Sequence, residues 1–147
     1  MTATHSDVHQ EVRRTVREFV AREVAPIADA LDNAEAEIPM PVIRKMAELG
    51  YFGLIFPERH GGMGLDTLAM AIVAEELSRG WLSVGSVMTR MIITGSLLME
   101  SGTEEQRRRF LPRIASGELL TAAAFTEPDA GSDTGAIKCR AGREPGT

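Results

Sequence analysis

Residues 103–135 read TEEQRRRFLPRIASGELLTAAAFTEPDAGSDTG, and the change of texture inside this stretch decides the fold class. As far as Gly117 the pattern is helical. Thr103 with Gln106 three residues on makes a capping box, Phe110, Leu111 and Ile114 form an apolar stripe, and Gly117 supplies the stop. From residue 119 the chain turns small and apolar, LLTAAAFT, then breaks into Glu127, Pro128, Asp129, Gly131 and Ser132, as a strand does on entering a turn. AIKCRA, residues 136–141, reads as part of a second strand.

Four further helices are predicted upstream. Val8, Val12, Val16, Phe19, Val20, Val24, Ile27 and Leu31 recur at spacings of three and four, with arginines and Glu18 between them, which makes one long amphipathic helix. Thr4 and Asp7 can cap its start, and Pro26 kinks or divides it. Pro41 opens a short second helix that Gly50 closes. Residues 66–80 form a third, apolar nearly all round from Leu68 to Ala74 and therefore buried on most sides. Ser83 is placed to cap a fourth, which carries Val84, Val87, Met88, Met91, Ile92, Gly95, Leu98 and Met99 on one face. The fold class is thus mainly α: a helical bundle over residues 1–118, followed in 119–147 by the first one or two strands of a β-domain. Two strands without more sheet are marginal, so the chain reads as truncated.

The 147 residues are 44% hydrophobic, enough for one compact core. A formal charge of -5 excludes the basic footprint of sequence-independent nucleic-acid binding and a polybasic membrane patch. The single cysteine, Cys139, forbids an internal disulfide and fits a reducing, cytoplasmic setting. The polar start and the short apolar run MIITGSLLM give no signal for export or membrane insertion.

Most chemistry-bearing residues have an ordinary reading. His5 and His9 have a helical metal-ligand spacing but no third ligand near them, and read as surface residues. His60 reads as a solvated turn residue. Glu75 and Glu76 point about 100 degrees apart on a helix, so one meets a polar partner and the other solvent. The arginines at 107–109 read as a solvated face. GGMG at 61–64 lacks the strand before it and the Lys and Ser or Thr after it that a phosphate loop requires.

Residues 122–132 are different. Small side chains at Ala122, Ala123 and Ala124 let a flat ligand approach backbone donors and acceptors, Thr126 adds a hydroxyl, Gly131 permits close approach, and Ser132 offers a donor to an anion. On the residues alone, a strand-to-turn ligand site and an ordinary turn stand level.

The segment FTEPDAGSD resembles the signature of the flavin-dependent acyl-CoA dehydrogenases, and FPERHGGMGLD, AEELSRG, SGTEEQRRRFLPRIASGE and AIKCRA resemble segments of that family in the same order. SRGWLSVGSVMTR is similar to members acting on branched or dicarboxylic acyl-CoAs, methylsuccinyl-CoA among them. The resemblance implies a helical domain, a middle β-domain and a C-terminal four-helix domain that bind FAD and oxidise an acyl-CoA to its 2,3-enoyl-CoA. It implies cofactor contacts from Ala123, Ala124, Phe125, Thr126, Gly131 and Ser132, with Thr126 at the flavin's pyrimidine end and Ser132 where cofactor and acyl-CoA meet. Ala123 departs from the family, which often has a larger residue there.

No catalytic residue is assigned within the chain, because in most members the catalytic glutamate belongs to the C-terminal part, and Glu127 reads as structural. The chain alone is expected to be inactive. In full-length relatives the resemblance further implies an electron-transferring flavoprotein as partner and homo-oligomeric assembly. Acyl-CoA oxidases and nitroalkane oxidases share the architecture, and a non-catalytic helical interaction module is the alternative of another class.

Overall fold

The computed structural model describes residues 7–142, and helices fill most of the chain as far as Ala115. The long N-terminal pattern becomes α1 (Asp7–Phe19), a π-helical turn (Val20–Val24) and α2 (Ala25–Asn33), with Pro26 in the first turn of α2. Proline has no N–H for the carbonyl four residues back, and its ring clashes with that carbonyl. A wide turn just before it relieves both problems. The cap expected at Thr4 lies outside the described residues.

Helix α3 (Met40–Glu48) has a proline in its first turn, as expected. Gly50 ends it at φ +75°, donating to Ala47 O at 2.9 Å while Tyr51 donates to Met46 O at 3.0 Å, the paired closure of a Schellman motif. Helix α4 (Thr67–Gly80) is capped by Asp66, whose carboxylate accepts from Ala69 N–H at 2.8 Å. Helix α5 (Leu82–Ser101) starts at Trp81 with no side-chain cap, so Ser83 does not have the role expected of it. Trp81 instead donates its indole N–H to Asp32 at 2.8 Å, tying the end of α2 to the α4–α5 corner. Helix α6 (Glu104–Ala115) carries the full capping box of Thr103 and Gln106.

Helix α4 packs between α1 and α5, and α6 lies against α5. Met46, Phe52, Phe56, Val73, Leu77, Val84, Met88, Leu111 and Ile114 form the centre of one continuous core. On α5 the expected apolar face is buried from Val84 to Gly95, while Leu98 and Met99 are half-buried at its edge. By length and composition α5 could cross a membrane, but in this fold it is a core helix. At Gly95 the ring of Phe56 lies so close that an added Cβ would sit 2.0 Å from Phe56 Cζ.

The two stretches expected to be strands, residues 119–126 and 136–141, are not strands among the described residues. The backbone there is irregular, with one isolated antiparallel bridge between Glu127 and Ala130 and a 3-10 turn over Thr134–Ala136. Strand propensity is realised only by pairing, and no third segment lies alongside.

Candidate functional site

The segment after α6 is fastened at its start. Leu119 N–H donates to Arg113 O at 2.9 Å, and the N–H and hydroxyl of Thr121 reach Met91 Sδ on α5 at 3.4 and 3.3 Å. Residues 122–126 then run exposed, and no hydrogen bond engages their backbone. Ala123, Ala124, Phe125 and Thr126 therefore present free N–H and C=O groups behind mostly small side chains. This donor set suits a flat ligand with donors and acceptors along one edge.

The turn that follows is held firmly. Glu127 and Ala130 exchange backbone hydrogen bonds of 2.9 and 3.2 Å across Pro128 and Asp129, and Ala130 is buried. The Glu127 carboxylate accepts Lys138 N–H at 2.9 Å on one oxygen and Cys139 N–H at 2.8 Å on the other. Lys138 Nζ adds an ion pair to Asp129 at 3.0 Å. Glu127 thus closes a loop through two backbone amides, which supports its reading as structural. Gly131 and Ser132 lie exposed on that loop, and a Cβ added at Gly131 would meet nothing within 4 Å.

The other singled-out residues fall outside this site. His5 is not among the described residues. His9 is buried, against expectation, and its Nε2 lies 3.0 Å from both carboxylate oxygens of Asp66. The signal was present in the sequence: His9, Val12, Val16 and Phe19 continue one stripe at spacings of three and four, whereas Val8 lies off it and is exposed. Asp66 accepts from both Ala69 N–H and His9, and these bonds, the first above all, hold its carboxyl below the ordinary aspartate value.

That lowered value fixes a sign. A carboxylate with a depressed folded-state pKa adds stability above its unfolded pKa, about 3.9, and this contribution is lost as pH falls through the folded value. Asn at 66 keeps the cap without the charge. Urea titrations should therefore show wild type more stable than Asp66→Asn near neutrality, with the gap closing below about pH 4; a gap that is the same at both ends would show that the charge contributes nothing.

Of the adjacent carboxylates, Glu76 is the buried one. Arg17 Nε donates to it at 3.0 Å, Arg79 Nη1 lies 3.5 Å away, and Arg13 pairs with it as well as with the more exposed Glu75 at 2.9 Å. Burial pushes the Glu76 carboxyl up, but the bonds from Arg17 and Arg13 more than offset this and hold it below the usual range. The cluster locks α1 to α4, and both oxygens of Glu76 are taken up by guanidinium groups.

His60 is buried rather than solvated, and neither ring nitrogen has a partner, because the 3-10 turn Glu58–His60 packs on α6. The loop around it is a clasp. Gly62, Met63, Gly64 and Leu65 donate their N–H groups to Pro57, Gly53, Phe56 and Leu54 carbonyls at 2.8 to 3.3 Å, leaving none of these four for a phosphate. Arg109 stacks on Phe110 at 5.2 Å and Arg107 reaches Glu104 and Leu98 O, as a solvated helix face does. Among the described residues no cluster of three His, Cys, Asp or Glu side chains could hold a metal ion.

Comparison with known proteins agrees with this architecture. The chain is 45% identical over 130 residues to the (2S)-methylsuccinyl-CoA dehydrogenase of Cereibacter sphaeroides, an alignment covering 88% of this chain and 24% of the relative. It superposes on a glutaryl-coenzyme A dehydrogenase in complex with glutaryl-CoA with a TM-score of 0.85 and 34% identity, over 93% of this chain and 35% of the other. An acyl-CoA dehydrogenase of Bacillus anthracis complexed with FAD gives a TM-score of 0.80 and 33% identity, over 91% and 23% of the two chains. The chain thus spans about a quarter to a third of the length of these relatives. Residues 6–118 match the family described as acyl-CoA dehydrogenase, N-terminal domain, and the chain belongs to that family.

Proposed function

We propose that this protein serves in the FAD-dependent α,β-dehydrogenation of an acyl-CoA thioester to its 2,3-enoyl-CoA, with residues 1–118 as the helical domain and 119–147 as the beginning of the β-domain. The observation that carries this reading is the exposed run 122–126, whose unpaired backbone groups fit the edge of an isoalloxazine ring. FAD, when bound, supplies the acceptor for the hydride leaving the β-carbon. This chain's part is to bind and orient: Ala123, Ala124, Phe125 and Thr126 hold the ring through backbone groups and the Thr126 hydroxyl, while Gly131 and Ser132 offer donors toward phosphate and thioester. Removal of the α-proton is assigned to a carboxylate outside these residues, since both oxygens of Glu127 already accept backbone N–H groups.

The proposed partners are the acyl-CoA substrate, an electron-transferring flavoprotein that takes the electrons onward, and further copies of the subunit, in a cytoplasmic setting. The test is a chimaera in which residues 1–147 replace the matching part of the Cereibacter sphaeroides relative. Thr126→Ala should weaken FAD binding by about 1 kcal/mol, or more if a buried polar atom is left unpaired, and perturb the flavin spectrum. Ser132→Ala should do less to both. Equal FAD occupancy and unchanged spectra in the two variants would refute the assignment of Thr126 to the ring.

A further inference from the structure

We propose that Met91 is a positioning residue: its sulfur fixes the point at which the run 122–126 leaves the helical domain, and with it the register in which that run meets a bound ring. The inference rests on the flavin reading above for the ring, whereas the anchor is a feature of this chain by itself.

Met91 is 1% exposed on the core face of α5, where leucine would pack about as well. What leucine lacks is an acceptor. The Met91 sulfur takes both donors of the half-buried Thr121, the N–H at 3.4 Å and the hydroxyl at 3.3 Å, from 30 residues away in sequence. Among the described residues no other hydrogen bond ties residues 120–126 to the helices.

The pairing also selects a register. A thioether is a weak acceptor, so two bonds at one point give a hold that one would not. Leu120 and Ala122 have a backbone donor but no side-chain donor, which leaves Thr121 as the residue there that can place two donors on one sulfur. The chain is next held at Glu127, whose N–H and C=O pair with Ala130. Residues 122–126 are therefore spanned between two fixed points and exposed throughout. A slip of one residue at Met91 would shift every group in the run by up to about 3.5 Å, more than a hydrogen bond to a ring edge tolerates.

Residue-resolved amide exchange on the full 147-residue chain tests the anchor. In Met91→Leu the Thr121 amide should exchange about 2- to 10-fold faster, the span of one net hydrogen bond, over and above any change shared by the amides of α4 and α6. No change at Thr121, or one shared equally with those helices, refutes the anchor. In the chimaera described above, Met91→Leu should weaken FAD binding by a similar factor, and Thr121→Ser, which keeps both donors, should bind as wild type does. Thr121→Val should lose part of the affinity alone and nothing further when joined to Met91→Leu, a coupling that a purely packing role of Met91 does not produce. Faster exchange at Thr121 with unchanged FAD affinity refutes the positioning role. Absence of FAD from the wild-type chimaera would overturn the flavin reading instead, and the exchange rates of the 147-residue chain still decide whether Met91 is the anchor.

Discussion

Phe56→Ala is expected to destabilise the helical domain by about 3–5 kcal/mol, a large share of the 5–15 kcal/mol that holds a typical domain together. Phe56 is fully buried and its ring fills the space left by Gly95 on α5. Its backbone is pinned too: Gly64 N–H donates to its carbonyl at 2.9 Å, and a Cβ at Gly62 would meet that carbonyl oxygen at 2.1 Å. With both sides fixed, the site has little freedom to collapse around the missing ring, so the cost should fall in the upper part of the range. Urea denaturation followed by far-ultraviolet circular dichroism measures it. A loss below about 1 kcal/mol, the scale of an ordinary surface change, would mean that the ring is not packed as described.

Gly95→Ala is the complementary case, and here two effects oppose each other. In a helix interior alanine is favoured over glycine by about 1 kcal/mol, so propensity alone predicts stabilisation. Against this, the new methyl would lie 2.0 Å from Phe56 Cζ, and a rigid ring held at its backbone cannot turn aside cheaply. The overpacking cost wins, and a net loss of about 1–3 kcal/mol is expected. The pair should be strongly non-additive: in the Phe56→Leu background, where the ring is gone, Gly95→Ala should cost far less or become favourable. Equal effects in both backgrounds would show that the contact between ring and helix is not the cause.

Much of this core could be read from the chain because its determinants are local. Pro41 and Gly50 bracket α3, Thr103 and Gln106 start α6, and the stripe on α5 names its own buried face. What could not be read depended on partners far away in sequence. The burial of His60 follows from packing on α6, and its loop composition points the other way. His9 is a mixed case, since its place on the apolar stripe was legible but its partner Asp66 lies 57 residues on. The runs 119–126 and 136–141 have the composition of strands, yet composition does not provide a neighbour to pair with. The site was legible as a motif, whereas the bonds from Lys138 and Cys139 that commit the Glu127 carboxylate arise 11 and 12 residues downstream, beyond any local rule.

The π-helical turn between α1 and α2 is equivalent to a helix carrying one surplus residue. On a regular helix, positions spaced by four drift about 40 degrees per step, so Val16, Val20, Val24 and Ala28 would wind off the core as a spiral. The wide turn winds that spiral back, and Val24 and Ala28 remain buried on the same side as Val16. Length and phase are therefore uncoupled at Val20–Val24: the wide turn absorbs one residue without changing which side of α2 faces the core. Deleting Ala21 should leave a smooth helix in which eleven steps of about 100 degrees bring Ala28 to within about 20 degrees of Val16, so that Ala28 stays on the core side and Asp32 stays within reach of the indole of Trp81.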